Sequence, residues 1–232
     1  MASDGPSDGP TGDHTGDQAG GPGDGPIDPP SWTYDGTAGT ASGYPPGRPP
    51  DGPGRYARAE IERRWVLSER PDPAEAVAVR HLLDRYLTGT RLRLRLQEED
   101  DGPTLRKLTQ KLPDPEPRRR GRQGLLTNTY LSQAEYDVMA TLPALVLRKT
   151  RYSVAPFGVD VFEGPLAGLV LAEIEFPTED AADRSPIPAT AVAEVSHDPR
   201  FSGGRLVRTG ADELRSWLDE LGVPFVADPG SP

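Results

Sequence analysis

From residue 55 onward the chain alternates between charged and apolar positions. Residues 59–67 (AEIERRWVL) place Glu60, Glu62 and Arg64 on one side of an extended chain, because strand side chains repeat every two residues. Residues 91–97 set Arg91, Arg93 and Arg95 against Leu92, Leu94 and Leu96. A turn at 98–103 leads to a hairpin partner at 104–112, with Lys107 and Lys111 on one face around Thr109. Residues 145–153 pair Lys149 with Arg151, and residues 168–176 pair Glu173 with Glu175 against Val170, Ala172, Ile174 and Phe176. Shorter strands are predicted at 84–88, 125–131, 158–164 and 191–196.

Helical signals interrupt this alternation. Asp72-Pro73 before AEAVAVRHLL reads as an N-cap and a proline at the first helical position, so a short helix carrying His81 is predicted there. Ser132 caps a second helix (QAEYDVMATL), stopped by Pro143. Thr209 or Gly210 opens a third over 210–221, with Leu214, Trp217, Leu218 and Leu221 on one face and Gly222 at its end. Residues 113–124 read as an exposed loop. About eight strands with small helices at the edges make the fold class mainly β (α+β), an eight-stranded antiparallel barrel, closed or nearly so, with peripheral helices.

Composition sets the boundaries. Residues 1–54 contain 14 Gly and 11 Pro, and eight Asp against one Arg give them −7 of the chain's net −10. Such a segment buries too little apolar area to offset its ordering entropy, so 1–54 is expected to be a disordered tail and 55–226 the folded domain. The domain is nearly charge-balanced, unlike a duplex-binding protein. There is no cysteine, which excludes disulfides, thiolate metal sites and cysteine nucleophiles. No apolar run approaches the ~20 residues that span a bilayer, and the acidic N-terminus lacks a secretory h-region, so a cytoplasmic protein is expected.

The charged faces have two readings. A sheet with one solvated side commonly carries them outward. Turned inward, they would line a barrel lumen wide enough for one small ligand. Arg matches phosphate geometry with a planar fork of donors, and Lys supplies a point charge. Hard cations such as Mg²⁺ take carboxylate and phosphate oxygens. Periodicity alone leaves the choice open.

The motifs resemble those of the CYTH family, the triphosphate tunnel metalloenzymes. EIERRWVL resembles the family's ExExK strand, LRLRL its RxR strand, KLTQK its lysine strand and LRKTRY its KTRY strand. VDVFEGPLAGLVLAEIEF resembles the aspartate hairpin and closing ExE strand, and EVSHDPRFS a late element. The matches fall in the family's order over residues 58–207. The resemblance implies a tunnel barrel that binds Mg²⁺ or Mn²⁺ through Glu60, Glu62, Glu173 and Glu175. It implies phosphate binding by Arg93, Arg95, Lys111, Lys149 and Arg151, with Lys107 a weaker candidate on the same face. Glu60, Glu62, Arg64 and Asp160 become the catalytic candidates, Asp160 lying near metal or attacking water. Glu194 is a weaker candidate still, since its position fits the barrel rim as well.

Departures bear on rate. Arg64 stands where the family has Lys, and an arginine cannot act as a base. Thr127 and Thr129 stand where relatives place charges, and Ser196, Gly203 and Gly204 where they have Thr and Asn. The expected function is metal-dependent hydrolysis of a triphosphate, inorganic tripolyphosphate first. Thiamine-triphosphatase or adenylyl cyclase activity, or a non-catalytic polyphosphate- or nucleotide-binding module, are the alternatives. Neither duplex nucleic acid nor a membrane is an expected partner, and the oligomeric state, a homodimer included, stays open. His81 and His197 lack partners at metal spacing, and the run Arg118-Arg119-Arg120-Gly121-Arg122 reads as a rim loop.

Overall fold

A computed structural model describes residues 57–100, 102–113 and 122–223, all within the unit Arg48–Pro232. The expectation for residues 1–54 and most of the 118–122 run lie outside the described residues. Nine strands are present among the described residues: β1 Arg58–Leu67, β2 Val79–Leu87, β3 Leu92–Glu99, β4 Leu105–Pro113, β5 Arg122–Tyr130, β6 Ala144–Val154, β7 Phe157–Phe162, β8 Val170–Glu175 and β9 Ala191–Glu194. The first eight close into an antiparallel barrel in the order β5-β4-β3-β2-β6-β7-β8-β1, with β1 pairing back onto β5. One edge of β1 is shared. Arg58–Ile61 pair with β5, and Trp65–Leu67 pair with β9.

The helix predicted after Asp72 is a single 3-10 turn, Pro73–Glu75, followed directly by β2. Asp72 does cap, its side chain accepting from the Ala74 N–H. The two-residue period of Arg80, Leu82, Asp84 and Tyr86 then overrides the alanine-rich helix signal, because β2 must bridge β3 and β6. His81 therefore lies on a strand, exposed, with Nδ1 3.2 Å from Thr150 Oγ1 and Nε2 3.3 Å from Asp100.

The other two predicted helices form. In α1, Gln133–Ala140, Ser132 and Glu135 make a reciprocal capping box, and the helix lies against β3 and β4. Two short helices, α2 Glu179–Asp183 and α3 Gly203–Leu206, precede α4, Ala211–Glu220. Leu214, Trp217 and Leu218 of α4 join Val66, Leu147, Phe162 and Leu171 in one buried cluster. Those four share the inward face with the charged positions of β1, β6, β7 and β8, so α4 closes the barrel interior at one end with an apolar floor. Each such buried side chain contributes roughly 1.5–3 kcal/mol. A second cluster around Trp65, Val159, Val161 and Val170 occupies the opposite faces of β1, β7 and β8. No helix among the described residues is long and apolar enough to cross a membrane.

Candidate active site

Cross-strand partners share a face, so the register shows which charges face inward. Arg64 lies opposite Glu173 and Glu62 opposite Glu175 on β1–β8. Arg151 lies opposite Asp160 on β6–β7. Asp84 lies opposite Arg95, which in turn lies opposite Lys107. Two contacts skip a strand, which only the concave side of a barrel permits. Arg151 of β6 pairs with Glu173 of β8, passing over Gly158 of β7. Lys111 of β4 reaches Glu60 of β1 at 2.5 Å, past Gly124 of β5. The charged faces thus line the lumen.

Three groups of side chains result. Beside the acidic strand β1, Glu60 and Glu62 are 8% and 7% exposed. Glu62 accepts an ion pair from Arg64 Nε at 3.3 Å. Burial and then the nearby Glu173 carboxylate push the Glu62 carboxyl up to about 7. Next, Asp160, with no exposed surface, takes Arg151 Nε and Nη2 at 2.6 Å each and also pairs with Lys149. Burial works to raise the Glu173 carboxyl, but Lys149 and Arg151 overcome it and hold it well below the usual carboxylate range. Burial lowers the Lys149 ammonium, offset by Asp160 and Glu173.

Across the lumen, Asp84 receives Arg95 Nε and Nη2 at 2.6 Å each, with Arg93 Nε at 3.8 Å. Arg93 is hydrogen-bonded to Tyr86, whose hydroxyl burial pushes up to about 12. Lys107 adjoins Arg95 and has no ion pair among the described residues. Burial, then Arg95 and Arg93, push its ammonium down to about 8. The β1–β8 wall therefore concentrates carboxylates, Glu60, Glu62 and Glu173, each ion-paired with Lys111, Arg64 or Arg151, while on the β3–β4 wall Arg93, Arg95 and Lys107 outnumber the one carboxylate beside them, Asp84.

Arg64 serves a different purpose from its neighbours. Its Nη1 donates to the Phe201 carbonyl at 2.7 Å and its Nη2 to Gln123 Oε1 at 2.9 Å, while its backbone N–H donates to Ser196 Oγ at 3.0 Å. It ties the late element to the barrel. Both Asp160 oxygens are likewise taken by cations. Glu175 is exposed, 3.8 Å from Arg58. Glu194 lies away from the lumen, in a two-point ion pair with Arg63.

Thr127 and Thr129 do not face inward. A register shift where β5 meets β1, between Gly124 and Arg122, precedes them, and a one-residue slip exchanges the faces of a strand. Leu126, Asn128 and Tyr130 align instead with Lys111, Thr109 and Lys107, and Thr109 Oγ1 donates to Asn128 Oδ1 at 2.8 Å. Asp84, Tyr86 and Gln123 are site residues that sequence reasoning missed. Gly203 is explained by contact: a Cβ there would collide with Tyr86 Oη.

In the arrangement present, no three His, Cys, Asp or Glu side chains among the described residues converge tightly enough to hold a metal. The donor chemistry still fits a hard cation. Burial, and then crowding against the Glu173 carboxylate of the adjacent strand, push Glu62 toward its neutral form, and a divalent ion suits such a set of oxygen donors.

Fold and site together define a closed antiparallel barrel with an ion-lined lumen and an apolar floor. No family model matches the chain, and no curated protein does. Among solved structures it is similar to the inorganic triphosphatase NE1496, at 26% identity over 65% of this chain and 95% of that one, TM-score 0.43. It is also similar to PH1012 protein from Pyrococcus horikoshii, at 12% identity over 71% of this chain and 91% of that one, TM-score 0.35. At TM-scores of this size, what the barrel does has to be read from its own side chains.

Proposed function

We propose that this chain is a CYTH-type tunnel enzyme that hydrolyses a phosphoanhydride bond of a short triphosphate, inorganic tripolyphosphate first, with Mg²⁺ or Mn²⁺. The observation that carries this reading is a wall of crowded, buried carboxylates on β1–β8 facing a cationic excess, Arg93, Arg95 and Lys107, on β3–β4. A polyanion alone satisfies the Arg93/Arg95/Lys107 wall and leaves Glu60, Glu62 and Glu173 crowded. A divalent cation alone does the reverse. A metal–triphosphate complex satisfies both.

Arg93 and Lys107 grip terminal phosphate oxygens. Arg95 and Arg151, whose Nε and Nη2 are held by aspartates, offer Nη1. Lys111 and Lys149 add charge beside the acidic wall. The metal, on Glu60, Glu62, Glu173 and Glu175, would supply Lewis-acid withdrawal of charge from the phosphate oxygens. The chain's residues align the triphosphate for in-line attack by water and neutralise the charge that develops on the transferred group. Asp160 positions Lys149 and Arg151, and Arg64 orients Glu62.

A second reading, a binding module without turnover, draws on Arg64, which stands where the resemblance places a lysine and whose Nη1 and Nη2 are both taken. Phosphate release from tripolyphosphate, thiamine triphosphate and ATP, each with Mg²⁺, Mn²⁺ or EDTA, separates the two. Metal-dependent release that Glu60→Gln lacks is the expected result. Tight metal-dependent binding without release from any of them would sink the hydrolase reading.

A further inference from the structure

The two buried aspartates of the lumen use one device. Asp160 on β7 and Asp84 on β2 are 0% and 1% exposed, and each holds the Nε–Nη2 edge of an arginine on the adjacent strand at 2.6 Å twice. Among the described residues the fork leaves Nη1 as the end of each arginine without a hydrogen bond to a side chain or carbonyl, the end that can reach a ligand. Asp84 matters more to the Arg93, Arg95 and Lys107 group, because among the described residues no other carboxylate is in ion-pair contact with those three. Arg93 Nε approaches it at 3.8 Å, and Lys107 has no partner among the described residues.

We propose that Asp84 is a positioning residue of the anion site: it locks Arg95 with Nη1 toward the ligand and leaves Arg93 and Lys107 as the wall's two cations outside a two-point fork. This rests on the triphosphate reading of the lumen. An arginine beside two other cations is repelled from both, and without a counter-charge it swings away. The fork holds it in place before ligand arrives, so its orientation is not achieved at the expense of binding energy. Asp84 touches neither substrate nor metal in this scheme. It acts through Arg95.

The test uses four full-length proteins: wild type, Asp84→Asn, Arg95→Gln and the double variant. Each is titrated with tripolyphosphate by calorimetry and assayed for phosphate release. Asp84→Asn is expected to bind tripolyphosphate at least as tightly as wild type, since Arg95 is then released from its counter-charge. Its kcat is expected to fall about 10–100-fold, as for other residues that orient a ligand-binding group. In the Arg95→Gln background the same change should alter neither quantity. A merely structural role leaves kcat per folded molecule intact, and an equal fall in both backgrounds means Asp84 does not act through Arg95; either overturns the proposal. If Asp84→Asn does not fold, Asp84→Glu replaces it, keeping the charge while displacing the fork, with the same expected drop in kcat. If the wild type releases no phosphate, the hydrolase reading fails on its own. Calorimetry then decides: tighter binding in Asp84→Asn that vanishes without Arg95 supports the proposal, and the same gain in both backgrounds refutes it.

Discussion

Lys107 offers the sharpest check on the cationic wall. Its ammonium is pushed down to about 8, first by burial and then by Arg95 and Arg93. At pH 9 such a group is charged in about one molecule in ten, against nearly all molecules for an ordinary lysine near 10.4. A bound triphosphate restores the charge, so binding at pH 9 takes up about 0.9 proton at this site. It is also about tenfold weaker than at pH 7 from this group alone. Tripolyphosphate titrates as well, so the comparison is with Lys107→Arg, which stays charged throughout and cancels the ligand's own protons. Calorimetry in two buffers of different ionisation enthalpy reads the proton count. Wild type should exceed Lys107→Arg by most of a proton at pH 9 and by almost none at pH 6.5. Equal counts at both pH values would refute the claim that Lys107 is an uncompensated cation facing the ligand. Without ligand the sign reverses. The folded pKa lies below the unfolded one, so this group's penalty is present below about 8 and fades as pH rises toward 10.4.

Two further outcomes follow from the same geometry. In metal-free protein the Glu62 carboxyl is raised from 4.5 to about 7, so the folded state holds the extra proton. Wild type should therefore lose thermal stability relative to Glu62→Gln as pH climbs from 4.5 to 7, and a flat difference across that window would contradict the crowding. Gly203→Ala drives a methyl into Tyr86 Oη and should cost about 1–3 kcal/mol by overpacking. Melting curves should show that loss largely recovered in Gly203→Ala/Tyr86→Phe, and no recovery would place the strain elsewhere.

The inward charges of β1, β3, β4, β6 and β8 were legible because each strand alternates cleanly over at least two repeats. Side was not legible, since a solvated face and a lumen have the same period. β2 was hidden for another reason. Asp72 and Pro73 are true capping residues, but of a single turn, and Ala-rich sequence supplies helix propensity that sheet pairing overrules. Asp84 therefore went unread, although a lone aspartate between Leu83 and Arg85 at register with Arg95 is the signal that locates it. On β5 the phase was lost at Gln123, where a bulge inverts every position after it. The apolar stripe of α4 was plain from Leu214, Trp217 and Leu218, yet a stripe does not say what it covers. Here it covers the floor of the lumen.

The central claim is that one metal–triphosphate complex spans the two charged walls. It is tested most directly by a crystal structure of the protein with Mn²⁺ and a non-hydrolysable imido analogue of tripolyphosphate. The account predicts phosphate density against Arg93, Arg95 and Lys107 and an anomalous manganese peak among Glu60, Glu62 and Glu173. A lumen without the analogue, or manganese bound away from the β1–β8 wall, would contradict it.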